Sequence, residues 1–244
     1  MIFIDIVIEI ETAIIFLFMN FIKSLEIAFL KNSNHENAWA MAKYMRNHFL
    51  FFGIKTDDRR HILKAIWKEN QEEVSEKPRE IALKLFAKTQ RELQYCALEI
   101  LIKQLKGNYR KEDIQLIEKL IVTNSWWDSV DTIAKNILGQ YLLEYPLETK
   151  KVIEHFLNSE NMWLNRSAIL FQLGYKEKTN FDLLQFKCEK HKKFHRIFHS
   201  KSHWLGITGI RKNKSRSCKK LCEQHPIKTI EQKRSVKKHS LSSK

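Results

Sequence analysis

The stretch N-S-W-W-D-S-V-D, residues 124–131, places an indole and a carboxylate one helical turn apart, at Trp127 and Asp131. Side chains four residues apart share one face of a helix. An indole is poorly accommodated by water, and a carboxylate beside an apolar stripe is costly to bury. A second candidate, Arg166, stands in M-W-L-N-R-S-A-I-L-F, residues 162–171, among residues spaced to face inward. A guanidinium there can grip a phosphate through two parallel hydrogen bonds. A third group, Tyr44, Lys55, Arg59 and Arg60, surrounds a helix–loop–helix junction in which Gly53 ends a turn.

Each candidate also has a structural reading. With Ser125 as N-cap, Asp128 completes an S-x-x-D capping box where the helix dipole favours an anion. Asp131 has Lys135 four residues on as an ion-pair partner, and Arg166 has Glu160 nearby. Trp126 reads as packing. Residue types alone leave these alternatives open.

The elements that must position these residues are helices. Apolar residues recur at helical spacing over 20–31, 36–48, 57–70, 77–89, 91–105, 111–122, 126–144, 147–158, 162–174 and 180–192. Thr56 precedes Asp57 and Asp58, an N-cap followed by first-turn acids, and Pro78 suits a first helical turn. No strand-like alternation competes. Helices arrive every 15–20 residues or so, and pairs about every 35–40, close to the period of HEAT-type repeats. The expectation is an all-α fold, a HEAT-like helical-repeat solenoid, with a compact bundle as the alternative. A solenoid offers a concave face able to wrap a long ligand.

Composition agrees. The chain has 244 residues, 43% hydrophobic, with only six glycines and three prolines. That is too few turn formers for an all-β domain of this size. Cys96, Cys188, Cys218 and Cys222 follow no disulfide framework, which points to a reducing, cytoplasmic setting. The net charge of +15 favours a polyanionic partner, but most of the excess lies beyond residue 193.

Both ends differ from the middle. Residues 1–18 lack the basic start of a signal peptide, and the uncharged run 12–19 is too short to span a bilayer. They read as an extension, with Met19 as an alternative start and no membrane association. Residues 194–244 lose helical periodicity and become rich in Lys, Ser and His, the pattern of a disordered basic tail. Cys218, Cys222 and His225, with His239 as a distant fourth, do not form the compact set that a structural zinc needs. The central unit is therefore drawn as 19–193.

Three segments of that unit, Y-M-R-N-H-F-L-F-F-G-I-K-T-D-D-R-R, L-I-V-T-N-S-W-W-D-S-V-D and W-L-N-R-S-A-I-L-F-Q-L-G-Y-K-E-K, together resemble the bacterial AlkD-type DNA alkylation repair glycosylases. The resemblance implies a monomeric helical solenoid that holds duplex DNA and excises positively charged N3- or N7-alkylated purines without metal or cofactor. By position it assigns catalytic roles to Trp127, Asp131 and Arg166 and a DNA contact to Tyr44; the cations Lys55, Arg59 and Arg60 at the same junction are expected to bind DNA beside it. Lys55 stands where the family usually has glutamine, and Asp57 where it has proline.

The chemistry suits these residue types. A cationic purine leaves readily, so the enzyme must chiefly stabilise an oxocarbenium-like sugar. A carboxylate can do this and orient a water, as in glycoside hydrolysis. An indole face favours the same positive charge. Arg166 would hold the adjacent phosphate. The resemblance implies chemistry on the sugar with no base pocket. A non-catalytic helical scaffold and an inactive DNA-binding relative are the competing readings.

After residue 193 the family's closing segment, with a second catalytic tryptophan in I-G-W, is missing. Codons permitted for residues 205–219, read one nucleotide forward, can spell W-E-L-R-E-Y-A-K-T-N-P-E-A-V-K, which looks like the family's own helices. The sequence thus points to a frameshift near 192–194.

Overall fold

The computed structural model describes residues 20–180. By contact the chain divides after Phe171. The first unit carries every described α-helix. The helices are α1 (Phe21–Lys31), α2 (His35–Tyr44), α3 (Thr56–Glu69), α4 (Gln71–Glu76), α5 (Pro78–Phe86) and α6 (Arg91–Gln104). They continue with α7 (Asp113–Val122), α8 (Trp127–Ile133), α9 (Gly139–Glu144), α10 (Thr149–Asn158) and α11 (Met162–Leu170). The fold is all-α, and the described residues contain no strand. Their one bridge joins Leu50 to Gln90, where the Arg91 N–H donates to the Leu50 carbonyl at 2.9 Å. In the second unit, a short 3-10 turn spans Lys176–Lys178, and Gln172 accepts from the Asn180 N–H at 2.7 Å.

Packing runs largely between near neighbours in the chain: α1 with α3, α5 with α6, α7 with α8, and α10 with α11. The apolar spacing explains it. Phe21, Leu25 and Phe29 recur every fourth residue on α1 and are fully buried, each contributing about 1.5–3 kcal/mol on removal from water. The centre is α6, where Leu93, Cys96, Ala97, Leu98, Ile100 and Leu101 all lie inside. On α11 every residue from Leu164 to Leu170 is buried, against α7, α8 and the turn that follows α8.

Asparagine caps mark several starts. Asn20, Asn34 and Asn161 accept from the N–H groups of Lys23, Asn37 and Trp163 at 3.0, 2.9 and 2.8 Å. Pro78 begins α5 as expected. Elsewhere the structure corrects the sequence reading. Lys55, not Thr56, is the residue before α3, and Trp126, not Ser125, precedes α8. The Ser125 hydroxyl instead donates back to the Ile121 carbonyl at 2.6 Å. The helix expected to 48 stops at Tyr44, because Arg46 and Asn47 turn left-handed (φ 55° and 58°). The helix expected over 162–174 ends at Leu170. That expected over 180–192 lies, from residue 181 on, beyond the described residues, as do 1–18, the 193/194 boundary, the tail and its cysteines.

The long helix expected over 126–144 is real but interrupted. A π turn at Ala134–Leu138 joins α8 to α9. Its apolar stripe, Val130, Ala134, Ile137, Leu138 and Tyr141, is fully buried as the periodicity predicts.

The loop between α2 and α3 is anchored at two points, one of them the Asn34 N–H, which donates to the Phe52 carbonyl at 2.8 Å. Glu92 of α6 is buried and accepts from the N–H groups of Phe52, Gly53 and Ile54 at 3.1, 2.9 and 3.3 Å. Burial pushes its carboxyl above the usual range, against these backbone donors, which favour the ionised form. Gly53 has φ 85°, and a Cβ there would lie 2.0 Å from the Asn34 carbonyl oxygen.

Candidate active site

Helix α8 begins at Trp127 because Trp126 is extended (φ −154°, ψ 162°) and Asn124 before it is left-handed (φ 48°). Asp131 follows one turn later, and its carboxylate meets Arg166 of α11. Arg166 Nε donates to Oδ1 at 2.6 Å and Nη2 to Oδ2 at 2.8 Å. Neither local partner considered from sequence, Lys135 or Glu160, takes this place. The guanidinium is buried, while the aspartate side chain stays 21% exposed. A planar fork on a planar carboxylate fixes both position and tilt. What results is an oriented anion that remains open on one side.

Trp127, one turn before Asp131, is half-buried, and Tyr44 meets its ring edge-on, centroids 6.1 Å apart. Tyr44 is 70% exposed, so this pair forms an aromatic surface. Trp126 turns to the other side, between His48 at 4.3 Å and Trp163 at 6.0 Å, a packing role.

The three cations separate. Lys55 and Arg60 are exposed. Arg59 is not: it is buried, donates to Glu99 and lies over the Tyr95 ring at 4.9 Å. Arg60 shares the same Glu99 oxygen at 3.2 Å. α3 turns Arg59 toward α6, so the structure places this expected DNA contact among internal partners. It lines a cavity of about 340 Å³ beneath Tyr44, together with Met41, Thr56, Glu92 and Tyr95.

Asp128 is the largest departure from expectation. It caps nothing. Arg91 Nε and Nη2 grip it at 3.0 and 2.6 Å, and the Tyr95 hydroxyl donates to it at 2.6 Å. Burial and the adjacent carboxylate push the Tyr95 phenol well above its ordinary range, so it remains a donor. Sequence reasoning missed Arg91 entirely. A signal existed: a cation at the first position of a helix opposes the helix dipole and needs an anion elsewhere to explain it.

Among the described residues no cluster of His, Cys, Asp and Glu is placed to hold a metal ion. No described helix is long and apolar enough to cross a membrane.

An all-α stack presenting an oriented carboxylate, an aromatic pair and exposed cations defines a helical protein with a built surface site. The family described as DNA alkylation repair enzyme matches residues 25–201, and this chain belongs to it. The match passes residue 193, where the sequence reading closes the central unit. A solved structure described as a predicted DNA alkylation repair enzyme from Enterococcus faecalis is 27% identical. It aligns over 82% of this chain and 93% of its own, with a TM-score of 0.71. Among curated proteins none matches. The family and this likeness support a role in DNA repair.

Proposed function

We propose that the chain is a DNA N-glycosylase that excises cationic N3- or N7-alkylated purines from duplex DNA. The observation that carries this reading is the Asp131 carboxylate, held by the Arg166 fork one turn above Trp127 and open to solvent on one side.

The alkylated purine departs with the electrons of its bond to C1′, and its positive charge passes to the sugar. Asp131 stabilises that charge and takes a proton from the water that attacks C1′. Free base and an abasic site result. Trp127 and Tyr44 supply an aromatic wall for the deoxyribose. Arg166 orients Asp131 and places positive charge beside the neighbouring phosphate. Lys55 and Arg60 meet the backbone of the duplex. The helix pairs act as a HEAT-like stack, and the chain works as a monomer without cofactor.

A second reading, a relative that binds duplex DNA without excising, is favoured by the sequence beyond 193, which lacks the family's second tryptophan. Release of 7-methylguanine from alkylated duplex, abolished in Asp131→Asn, supports the first reading. Salt-sensitive duplex binding with no release by the wild-type chain supports the second. Sequencing the gene across codons 185–210 tests the frameshift: a +1 frame without family-like residues overturns it.

A further inference from the structure

We propose that Arg91 is a positioning residue that sets Trp127 and Asp131 in register with Tyr44; its catalytic arm rests on the glycosylase reading above.

The Arg91 side chain is wholly buried, yet it sits at the N-terminus of α6, where neither dipole nor solvent favours a cation. All five of its guanidinium donors are used. Nε and Nη2 hold Asp128, and Nη2 also donates to the Ser129 hydroxyl at 2.8 Å. Nη1 donates to Gln94 Oε1 and, at 2.8 Å, to the Asn124 carbonyl. The guanidinium plane lies 3.8 Å from the centre of the Phe49 ring.

Apart from Gln94 on the same helix, those partners lie at three places in the chain, each close in sequence to a residue of the candidate site. Asn124 forms the left-handed turn that enters α8, and its amide donates to the Phe86 carbonyl at 2.8 Å. Asp128 and Ser129 lie within the first turn of α8, between Trp127 and Asp131. Phe49 and Leu50, which accepts from the Arg91 backbone, lie just past Tyr44. One rigid fork therefore holds the turn before Trp127, the helix that carries Asp131 and the chain leading from Tyr44. Tyr95 reinforces it through Asp128. A lysine keeps the charge but offers three donors on a flexible stem, so it cannot hold all three segments at once.

A support for the fold alone and a positioning device respond differently to repacking. Exchanging a buried ion pair for apolar residues of similar volume often preserves stability, whereas removing one partner does not. The test compares wild type, Arg91→Lys and the double variant Arg91→Met with Asp128→Leu. Each is measured for thermal unfolding, duplex affinity and single-turnover release of 7-methylguanine per folded molecule. In parallel, 5-fluorotryptophan-labelled protein reports the Trp127 environment by fluorine NMR, the resonance being assigned with Trp127→Phe.

The expected result is a double variant that still folds, at a lowered unfolding temperature because Gln94, Ser129, Tyr95 and the Asn124 carbonyl lose a partner, and that binds duplex with affinity within about threefold of wild type. Its release falls by about 100-fold, since misplacement on the order of 1 Å costs that much, and its Trp127 resonance moves. Arg91→Lys shows the same displaced resonance. Wild-type release in the folded double variant, or an unmoved Trp127 resonance in both variants, overturns the proposal. If the wild-type chain releases nothing, the glycosylase reading fails and the fluorine resonance alone decides the positioning role.

Discussion

Asp131 and Arg166, 35 residues apart in sequence and on different helices, meet through two parallel hydrogen bonds of 2.6 and 2.8 Å. The aspartate carries its own orienting group, so its carboxylate is aimed before any ligand arrives. Preorganisation of this kind removes the reorganisation that a freely rotating side chain requires. Asp131→Asn keeps the size and one acceptor oxygen but loses the charge. Single-turnover release of 7-methylguanine should fall by about 10²–10³-fold, with duplex affinity changed far less. Equal losses in affinity and release would show that Asp131 acts in binding.

Arg59 and Arg60 are adjacent in sequence and opposite in exposure, the first buried and the second open to solvent. Arg60→Ala should weaken duplex binding and reduce the salt slope by about one, with stability within about 0.5 kcal/mol of wild type. Arg59→Ala should instead cost about 2 kcal/mol in urea unfolding, because it strips a buried cation from a partly exposed Glu99. If Arg59→Ala lowers duplex affinity while stability holds, its internal assignment is wrong.

Gly53 should tolerate no side chain. With φ 85° and a Cβ destined for 2.0 Å from the Asn34 oxygen, Gly53→Ala must move the α2–α3 loop. A loss of about 1–3 kcal/mol is expected. Faster proteolysis within residues 45–55 would locate the damage, whereas an unchanged unfolding curve would contradict the geometry.

Asp113 gives the chain a defined acid response. Arg79 grips it at 2.6 and 2.7 Å, and the Arg110 N–H adds a third bond at 2.7 Å. Burial alone would raise its carboxyl, but these donors and the two cationic charges outweigh burial and hold it below its ordinary 3.8. As pH falls, the unfolded chain takes up the proton first. The stabilisation is therefore complete above 3.8 and is lost as pH drops through the lower, folded value. The stability gap between wild type and Asp113→Asn should be constant near neutrality and close below that point. Urea unfolding across an acid series measures it; a gap that persists at the lowest pH would remove Asp113 from the account.

Much of the fold was legible because helices repeat their apolar positions. Phe21, Leu25 and Phe29, or Val130, Ala134, Ile137 and Tyr141, identify a buried face with no knowledge of the partner helix. The candidate residues were legible singly, as types in unusual places. Their pairing was not. Lys135 and Glu160 are near in sequence, whereas Arg166 reaches Asp131 only after α11 packs on α8. Arg59 was grouped with the DNA-contacting cations because it stands at the same helix–loop–helix junction, and Asp128 was set at a cap because of its spacing. Both were claimed by partners more than 30 residues away, Glu99 and Arg91. The sequence of the π turn, A-K-N-I-L, contains nothing that breaks an α-helix, so periodicity passed through it unmarked.

That π turn changes how length variation should be weighed here. A π turn accommodates one residue more than the α turn it replaces. Removing one residue within Ala134–Leu138 can restore regular α-helix while Asp131 and Tyr141 keep their facings. The same deletion inside α6 would swing everything beyond it by about 100°. A one-residue gap at 134–138 in an alignment with a relative is therefore a neutral edit to the helix, and Asp131 should be matched across it.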